Sequence, residues 1–357
     1  MTVPGPTAHP SAVSARRLRL TEDASTLLWQ LAAVAVLFTV FGVLGTNFWS
    51  RGNWLNTATF GSTILILALG ETLVILTAGI DLSIAALMGL SGVVAGLYLA
   101  RWAPSSDSVQ VAVTVAIGIA TGAATGFLNG FIVTVLDITP FIATLGMLGA
   151  ATGIVLVLTN GISVTVPDSL APIGNSVWFG WIPVQVAAAV GCAIGVYCLL
   201  HYTTFGMYTY AIGSDAEAAR RMGIKTTRHL IKVYALAGAL AGVAGVLTVA
   251  QFTVASPNFG GENALLNAIA ACVIGGISLF GGRGKVSGTV IGTVVVASAV
   301  TGLVLMGVTS YWQTVFIGIV IVVSVYLQRL QQSQVWKLRF QLARVGSELR
   351  RARHVSS

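Results

Sequence analysis

The sequence predicts an all-α integral membrane protein with about ten transmembrane helices, and three observations predict it. Only 8% of the 357 residues are charged, against about 25% in a soluble domain. The hydrophobic share is 55% and mean hydropathy is +0.88, so a chain this long has too little polar surface to face water on all sides. Glycine occurs 41 times, much of it inside apolar runs. Glycine is frequent in transmembrane helices because it lets backbones approach closely.

A span needs about 20 mostly apolar residues. That rule places segments near 27–45, 59–79, 81–100, 109–136, 139–160, 183–201, 230–252, 263–281, 286–306 and 310–328. The third follows the second almost without a loop, and the fourth is long enough to tilt or to contain a break. Residues 1–26 read as a disordered cytoplasmic segment of Pro, Ser, Thr and Ala. Arg16-Arg17 and Ala33-x-Ala35 faintly resemble an export signal, but the run at 27–45 exceeds the 7–15 residues of a signal core, so an uncleaved first helix is expected. Residues 27–328 form the membrane domain, and 329–357 a basic cytoplasmic tail.

Orientation follows from Lys and Arg near span ends. With ten spans and the N-terminus inside, 17 of the 19 basic residues fall on the cytoplasmic side, and only Arg51 and Arg101 fall outside. Both termini are therefore expected in the cytoplasm. The net charge of +8 reflects this placement and not nucleic-acid binding, since no basic stretch is interleaved with stacking aromatics. In the tail, Val335, Leu338, Leu342, Val345 and Leu349 recur at spacings of three and four. Such a helix can lie on anionic membrane lipids; a frayed, solvated tail is the alternative.

Gly118, Gly122, Gly126 and Gly130 share one face of the fourth span, and Gly238/Gly242 and Gly288/Gly292 repeat the pattern. Lipid gives helices no hydrophobic reason to associate, so small stripes point to close packing. A functional alternative is a surface on which helices slide. Glu71 and Asn129 stand out as polar residues at membrane depth. A bare carboxylate at the bilayer centre costs about 2.5–3.5 kcal/mol or more, so Glu71 is expected either to line a polar pathway or to hydrogen-bond a neighbouring helix.

No span carries an acid/His relay or an arginine ladder, which speaks against a proton pump or voltage sensor. No catalytic set and no metal-ligand spacing are present: the histidines lie in tails or at span ends, and Cys192, Cys198 and Cys272 form no C-x-x-C pair. Cys192 and Cys198 are about 9 Å apart in rise along one helix, too far for a disulfide. All three read as buried free thiols. Gly281-Gly282-Arg283-Gly284-Lys285-Val286 imitates a phosphate loop, but the required first glycine is Leu279 and the residue after lysine is Val286. Nucleotide chemistry, if any, therefore belongs to a partner.

The longest cytoplasmic loop contains its own helix signals. Ser214 and Glu217 have capping-box spacing. Asp215 and Glu217 suit the positive end of a helix dipole, while Arg220 and Arg221 suit the negative end. Gly223 supplies a left-handed stop. The sequence thus delimits a helix of about two turns within 213–223, too short to be stable alone. Ala216, Ala218, Ala219 and Met222 give it a shallow apolar surface fitted to a groove. A plain connector is the alternative.

These residues resemble a known family. Gly70 to Ser83 (Gly-Glu-Thr-Leu-Val-Ile-Leu-Thr-Ala-Gly-Ile-Asp-Leu-Ser) is similar to the G-x-T-x-V-I-x-x-G-G-I-D-L-S signature of permease subunits in bacterial ABC sugar importers of the ribose, xylose, arabinose and galactoside type. Thr139 to Gly146 resembles a second family segment. Gly213 to Gly223 resembles the E-A-A-x-x-x-G coupling element, and Ala268 to Gly284 a fourth motif. Together the four cover roughly 48–328 in order. Ala78 departs from the usual Gly, and Ala85-Ala86 replace a Gly-Ser pair, which leaves the substrate open.

The resemblance implies a permease without enzymatic activity in the bacterial cytoplasmic membrane, carrying a monosaccharide or related polyol. It implies a second permease chain, identical or homologous, with the pathway at their interface. It also implies a cytoplasmic ATPase subunit that binds ATP and Mg, and an extracytoplasmic sugar-binding protein. Ser214, Asp215, Glu217, Ala218, Ala219, Arg220, Arg221 and Gly223 would be the ATPase contact. Glu71, Asp81, Ser83, Asn129 and Thr144 would serve the pathway or support its helix breaks. An ion-coupled secondary transporter of a small polar solute is the competing expectation.

Overall fold

The computed structural model describes residues 28, 30–102, 107–326 and 329. The expected disordered segment at 1–26 and the expected surface helix at 335–349 lie outside the described residues. Seven helices are long and apolar enough to cross a membrane: α2 (Arg51–Leu76), α3 (Ile84–Trp102), α4 (Asp107–Thr134), α5 (Pro140–Thr159), α7 (Val184–Tyr202), α10 (Thr226–Phe252) and α12 (Val286–Leu305). Three shorter apolar helices complete the set: α1 (Gln30–Leu44), α11 (Glu262–Ile274) and α13 (Ser310–Tyr326). Between them lie the short helices α6 (Ala171–Asn175), α8 (Thr204–Ser214) and α9 (Ala216–Arg221).

Local chemistry explains the boundaries. Ser50 caps α2, its hydroxyl accepting from the Asn53 amide at 3.2 Å. Pro140 opens α5, where its missing N–H costs nothing, and Asn160 closes it in the left-handed conformation. α4 runs unbroken for 28 residues, so the extra length of that segment is helix and not an interruption.

Within the expected span at 263–281 the helix is shorter than the segment. α11 ends at Ile274 because Gly275 closes it and Gly276 turns to φ +79°. Thirteen residues rise about 20 Å, short of the ~30 Å hydrocarbon core. A glycine loop with positive φ at Gly281, Gly282 and Gly284 then leads into α12. The long connection after α5 holds a further departure from an all-helical reading. β1 (Val164–Thr165) pairs antiparallel with β4 (Val254–Ala255), and β2 (Val177–Trp178) with β3 (Ile182–Pro183).

α2 is the centre of the bundle: every residue from Ile64 to Leu76 is buried. A helix enclosed by protein on all sides is apolar all round, which matches its sequence. α10, α11 and α12 pack against it, and α3 packs on α10 and α4. α4, α5 and α7 lie outside and leave apolar side chains such as Ile142, Val157 and Ile194 exposed, as helices facing lipid or a second chain do. The glycine stripe of α4 faces that of α10. A Cβ on Gly126 would stand 3.1 Å from the Gly238 Cα, and one on Gly242 would stand 2.9 Å from the Gly118 carbonyl carbon. Gly288 and Gly292 likewise abut the backbone of α11 at Gly275 and Ala271. Cys272 is buried, its thiol donating to the Ala68 carbonyl at 3.1 Å. Cys192 is half-buried and Cys198 exposed on the outer face of α7, so the expectation of three buried thiols holds for Cys272 alone.

Candidate functional site

Three features carry candidate function: a buried polar node, a short helix at one end of the bundle and a cavity. The node forms where α2 ends and α3 has not begun. Thr77 to Ser83 breaks the helix, with Ala78 in the left-handed region at φ +61°. The Asp81 amide donates to Glu71 Oε1 at 3.4 Å. Asp81 Oδ1 accepts from the Ser83 amide at 2.8 Å and from the Ser83 hydroxyl, which orders the start of α3. Asn129 reaches in from α4, its Nδ2 donating to Ser83 Oγ at 2.8 Å. From α5, Thr144 Oγ1 accepts from the Leu82 amide at 3.1 Å and donates to the Pro140 carbonyl at 2.8 Å.

Glu71, Asp81, Ser83, Asn129 and Thr144 therefore meet in one hydrogen-bonded cluster that ties the α2–α3 break to α4 and α5. All five are fully buried. They line no open passage in this conformation, and Glu71 bonds within its own chain. Glu71 Oε2, Asp81 Oδ2, Asn129 Oδ1 and the Tyr234 hydroxyl are buried without a partner. Unsatisfied buried groups cost about 1–3 kcal/mol each, so the node is the least settled part of an otherwise apolar core.

The short helix α9 corrects the expected capping box. Asp215, not Ser214, is the cap: its Oδ1 accepts from the Glu217 and Ala218 amides at 3.0 and 2.9 Å. Ser214 instead ends α8, its hydroxyl donating to the Tyr210 carbonyl at 2.8 Å. A carboxylate is the stronger acceptor at a helix start, and the backbone of Ser214 is already committed to α8. Glu217 turns to the side, pairing with Arg221 at 3.2 Å and Arg220 at 3.9 Å. The end is a Schellman closure: Gly223, at φ +86°, donates to the Arg220 carbonyl and Ile224 to the Ala219 carbonyl. Met222 projects into solvent at 84% exposure, and Ala216 and Ala218 are exposed beside it. Ala219, expected on the same surface, is turned into the protein and buried.

α8 connects this helix to the node. Gly213 lies flat against the Leu76 carbonyl at the end of α2, and a Cβ there would also stand 2.6 Å from the Gly282 amide. The Gly282 amide donates to the same Leu76 carbonyl at 2.9 Å. The Tyr210 hydroxyl donates to the Gly284 carbonyl at 2.9 Å; burial pushes that phenol above its ordinary pKa. Backbone contact thus runs from α9 through α8 to the residue just before the α2–α3 break.

The cavity lies at the other end of the bundle. It is a half-open cavity of about 770 Å³ among α2, α10, α11 and α13. α10 separates it from α9 by roughly 40 Å of helix. Gln251, Asn258, Glu262, Asn263 and Asn267 contribute polar groups, and Phe60, Phe252 and Phe259 contribute rings. Sequence reasoning missed all of these. The available signal was Asn263 and Asn267, four apart on one helix face directly after Gly260-Gly261.

The family profile described as "Branched-chain amino acid transport system / permease component" matches residues 53–325. The ribose import permease protein RbsC of Escherichia coli (strain K12) is 37% identical over 310 residues, covering 85% of this chain and 93% of that protein. RbsC of Bacillus subtilis (strain 168) is 39% identical over 298 residues, covering 82% and 90%. The autoinducer 2 import system permease protein LsrC of Yersinia pestis (strain Pestoides F) is 31% identical over 297 residues, covering 82% and 81%. No solved structure matches. The profile spans all four motifs and every helix from α2 to α12, so the chain belongs to this family of multi-pass membrane permeases.

Proposed function

We propose that this chain is the permease subunit of an ATP-driven importer that moves a monosaccharide or related polyol across the bacterial cytoplasmic membrane. Ten apolar helices with both termini inside agree with the basic residues, and α9 then faces the cytoplasm. The observation that carries the reading is the backbone path from α9 to the α2–α3 break. An ATPase subunit holding ATP and Mg grips α9, with Met222 and the exposed alanines seated in its groove. Asp215, Glu217, Arg220, Arg221 and Gly223 keep the helix short and rigid, and Ser214 and Ala219 fix it to the rest of the chain.

A displacement of α9 then bears on Leu76 through Gly213. It loads the node where Glu71, Asp81, Ser83, Asn129 and Thr144 hold the break closed. The glycine stripe of Gly118, Gly122, Gly126 and Gly130 keeps α4 in register with α10 while this happens. A second permease chain covers the exposed apolar faces, an extracytoplasmic binding protein delivers the sugar, and lipid surrounds the assembly. ATP hydrolysis stays in the partner. Ion-coupled transport is not favoured, because the relatives are named as import permeases and not as ion-coupled carriers.

The test exchanges both Glu217→Arg and Gly223→Pro in the assembled importer. ATP-driven sugar uptake is expected to disappear while the membrane domain keeps its thermal stability. Undiminished uptake would remove α9 from the coupling route.

A further inference from the structure

The cavity among α2, α10, α11 and α13 has the chemistry of a ligand site. Its volume of about 770 Å³ lies within the ~300–1,000 Å³ range of small-molecule pockets. Asn267 is only 7% exposed and lines the cavity, yet its amide makes no side-chain hydrogen bond to a described residue. The residue as a whole is buried, but its amide atoms are not sealed from solvent, so its free donor and acceptor reach the open volume of the cavity. Asn258, in the loop before α11, also leaves its side-chain amide unpaired.

The neighbouring groups hold their positions through bonds that leave other atoms free. Asn263 Oδ1 accepts from the Thr314 hydroxyl at 2.8 Å, so its Nδ2 remains available. Gln251 Oε1 accepts from Gln185 Nε2 at 3.4 Å, which leaves the Gln251 amide nitrogen. Phe252 and Phe259 pack with centroids 5.4 Å apart and offer ring surface beside these amides. Among the described residues no Lys, Arg or His lines the cavity, and Glu262 is its single charged group.

We infer that this cavity is a binding site for an uncharged polyhydroxylated ligand, held by Asn258, Asn263 and Asn267 with hydroxyls accepted by Glu262. Amides that both donate and accept suit hydroxyl groups, which do the same. The rings suit the apolar C–H face of a pyranose or furanose. Without a cation, the site excludes phosphorylated or carboxylated sugars, which Glu262 repels. The inference rests on the importer reading and adds to it a place within one chain where sugar pauses at the end remote from α9.

The test is saturation-transfer NMR on the purified full chain in nanodiscs, with D-ribose as probe and ribose 5-phosphate as competitor. D-Ribose is expected to receive saturation, and ribose 5-phosphate not to displace it. Asn267→Leu is expected to weaken the signal about tenfold, the size of one lost hydrogen bond. Asn258→Leu, on an exposed loop, repeats the test without touching the core should Asn267→Leu fail to fold. No ribose signal from the wild-type chain, full displacement by ribose 5-phosphate, or an unchanged signal in a folded variant would each overturn the assignment. ATP-driven ribose uptake by the assembled importer is measured in parallel. Uptake without an NMR signal ends the cavity site and leaves the importer; a signal without uptake does the reverse.

Discussion

Gly213→Ala places one methyl group at the joint between α8 and α2. The new Cβ would lie 2.6 Å from the Gly282 amide and closer still to the Leu76 carbonyl oxygen. Ordinary contact for carbon is about 3.5 Å, so α8 must retreat by roughly 1 Å or more. Both obstacles are backbone and cannot rotate away. Overpacking of this kind costs about 1–3 kcal/mol, and loss of the Gly282–Leu76 hydrogen bond adds about 1 kcal/mol. Alanine recovers about 0.5–1 kcal/mol of helix propensity. The net loss is therefore about 1–3 kcal/mol, concentrated where α9 meets the α2–α3 break. Two measurements read it: the unfolding midpoint of the purified chain in detergent, and ATP-driven uptake by the assembled importer. Both are expected to fall, with uptake falling further than stability alone explains. Gly223→Ala serves as the comparison, since nothing lies within 4 Å of its Cβ and only its φ of +86° is strained. A Gly213→Ala chain with unchanged midpoint and unchanged uptake would refute the joint.

Three further outcomes follow from the same geometry. Ala78→Gly relieves a left-handed alanine, which costs about 1–2 kcal/mol, against about 0.5–1 kcal/mol of added unfolded-state entropy; the unfolding midpoint should rise, and a fall would contradict the strain at φ +61°. Asp215→Ala removes the cap of α9 and should cost about 1 kcal/mol, seen as faster amide exchange across Ala216–Arg221, whereas Ser214→Ala should leave that exchange nearly unchanged. Equal effects would restore Ser214 as the cap. Gly122→Ala drives a methyl into α10, 2.9 Å from the Gly242 amide, and should destabilise the chain by about 1–3 kcal/mol. Gly146→Ala, with open space around it, should change stability by less than about 0.5 kcal/mol.

The sequence was most legible where one physical rule acts over many residues. Apolar length located the ten hydrophobic segments, because each run is long and bounded by polar or glycine-rich turns. The same rule made the helix within 263–281 too long, since a window of hydropathy does not register that Gly275 and Gly276 end α11 part-way. Glu71 and Asn129 were conspicuous as polar groups at depth. Their convergence on Ser83 was not, because Asn129 lies 46 positions away along the chain. Spacing alone favoured Ser214 as a cap, but it could not reveal that α8 runs up to Ser214 and leaves Asp215 at the turn. The cavity was hidden for a different reason. Its walls come from four helices and a loop, and Asn263 and Asn267 sat inside a segment read as lipid-spanning.

The proposed permease has no drive of its own and is moved through α9 by an ATPase. Sugar accumulation in sealed proteoliposomes measures this directly, with the permease chains reconstituted alone, with ATPase and binding protein, and with both plus a non-hydrolysable ATP analogue. Accumulation above the external concentration is predicted only with the partners and hydrolysable ATP. Uphill accumulation by the permease chains alone, driven by an ion gradient, would contradict it.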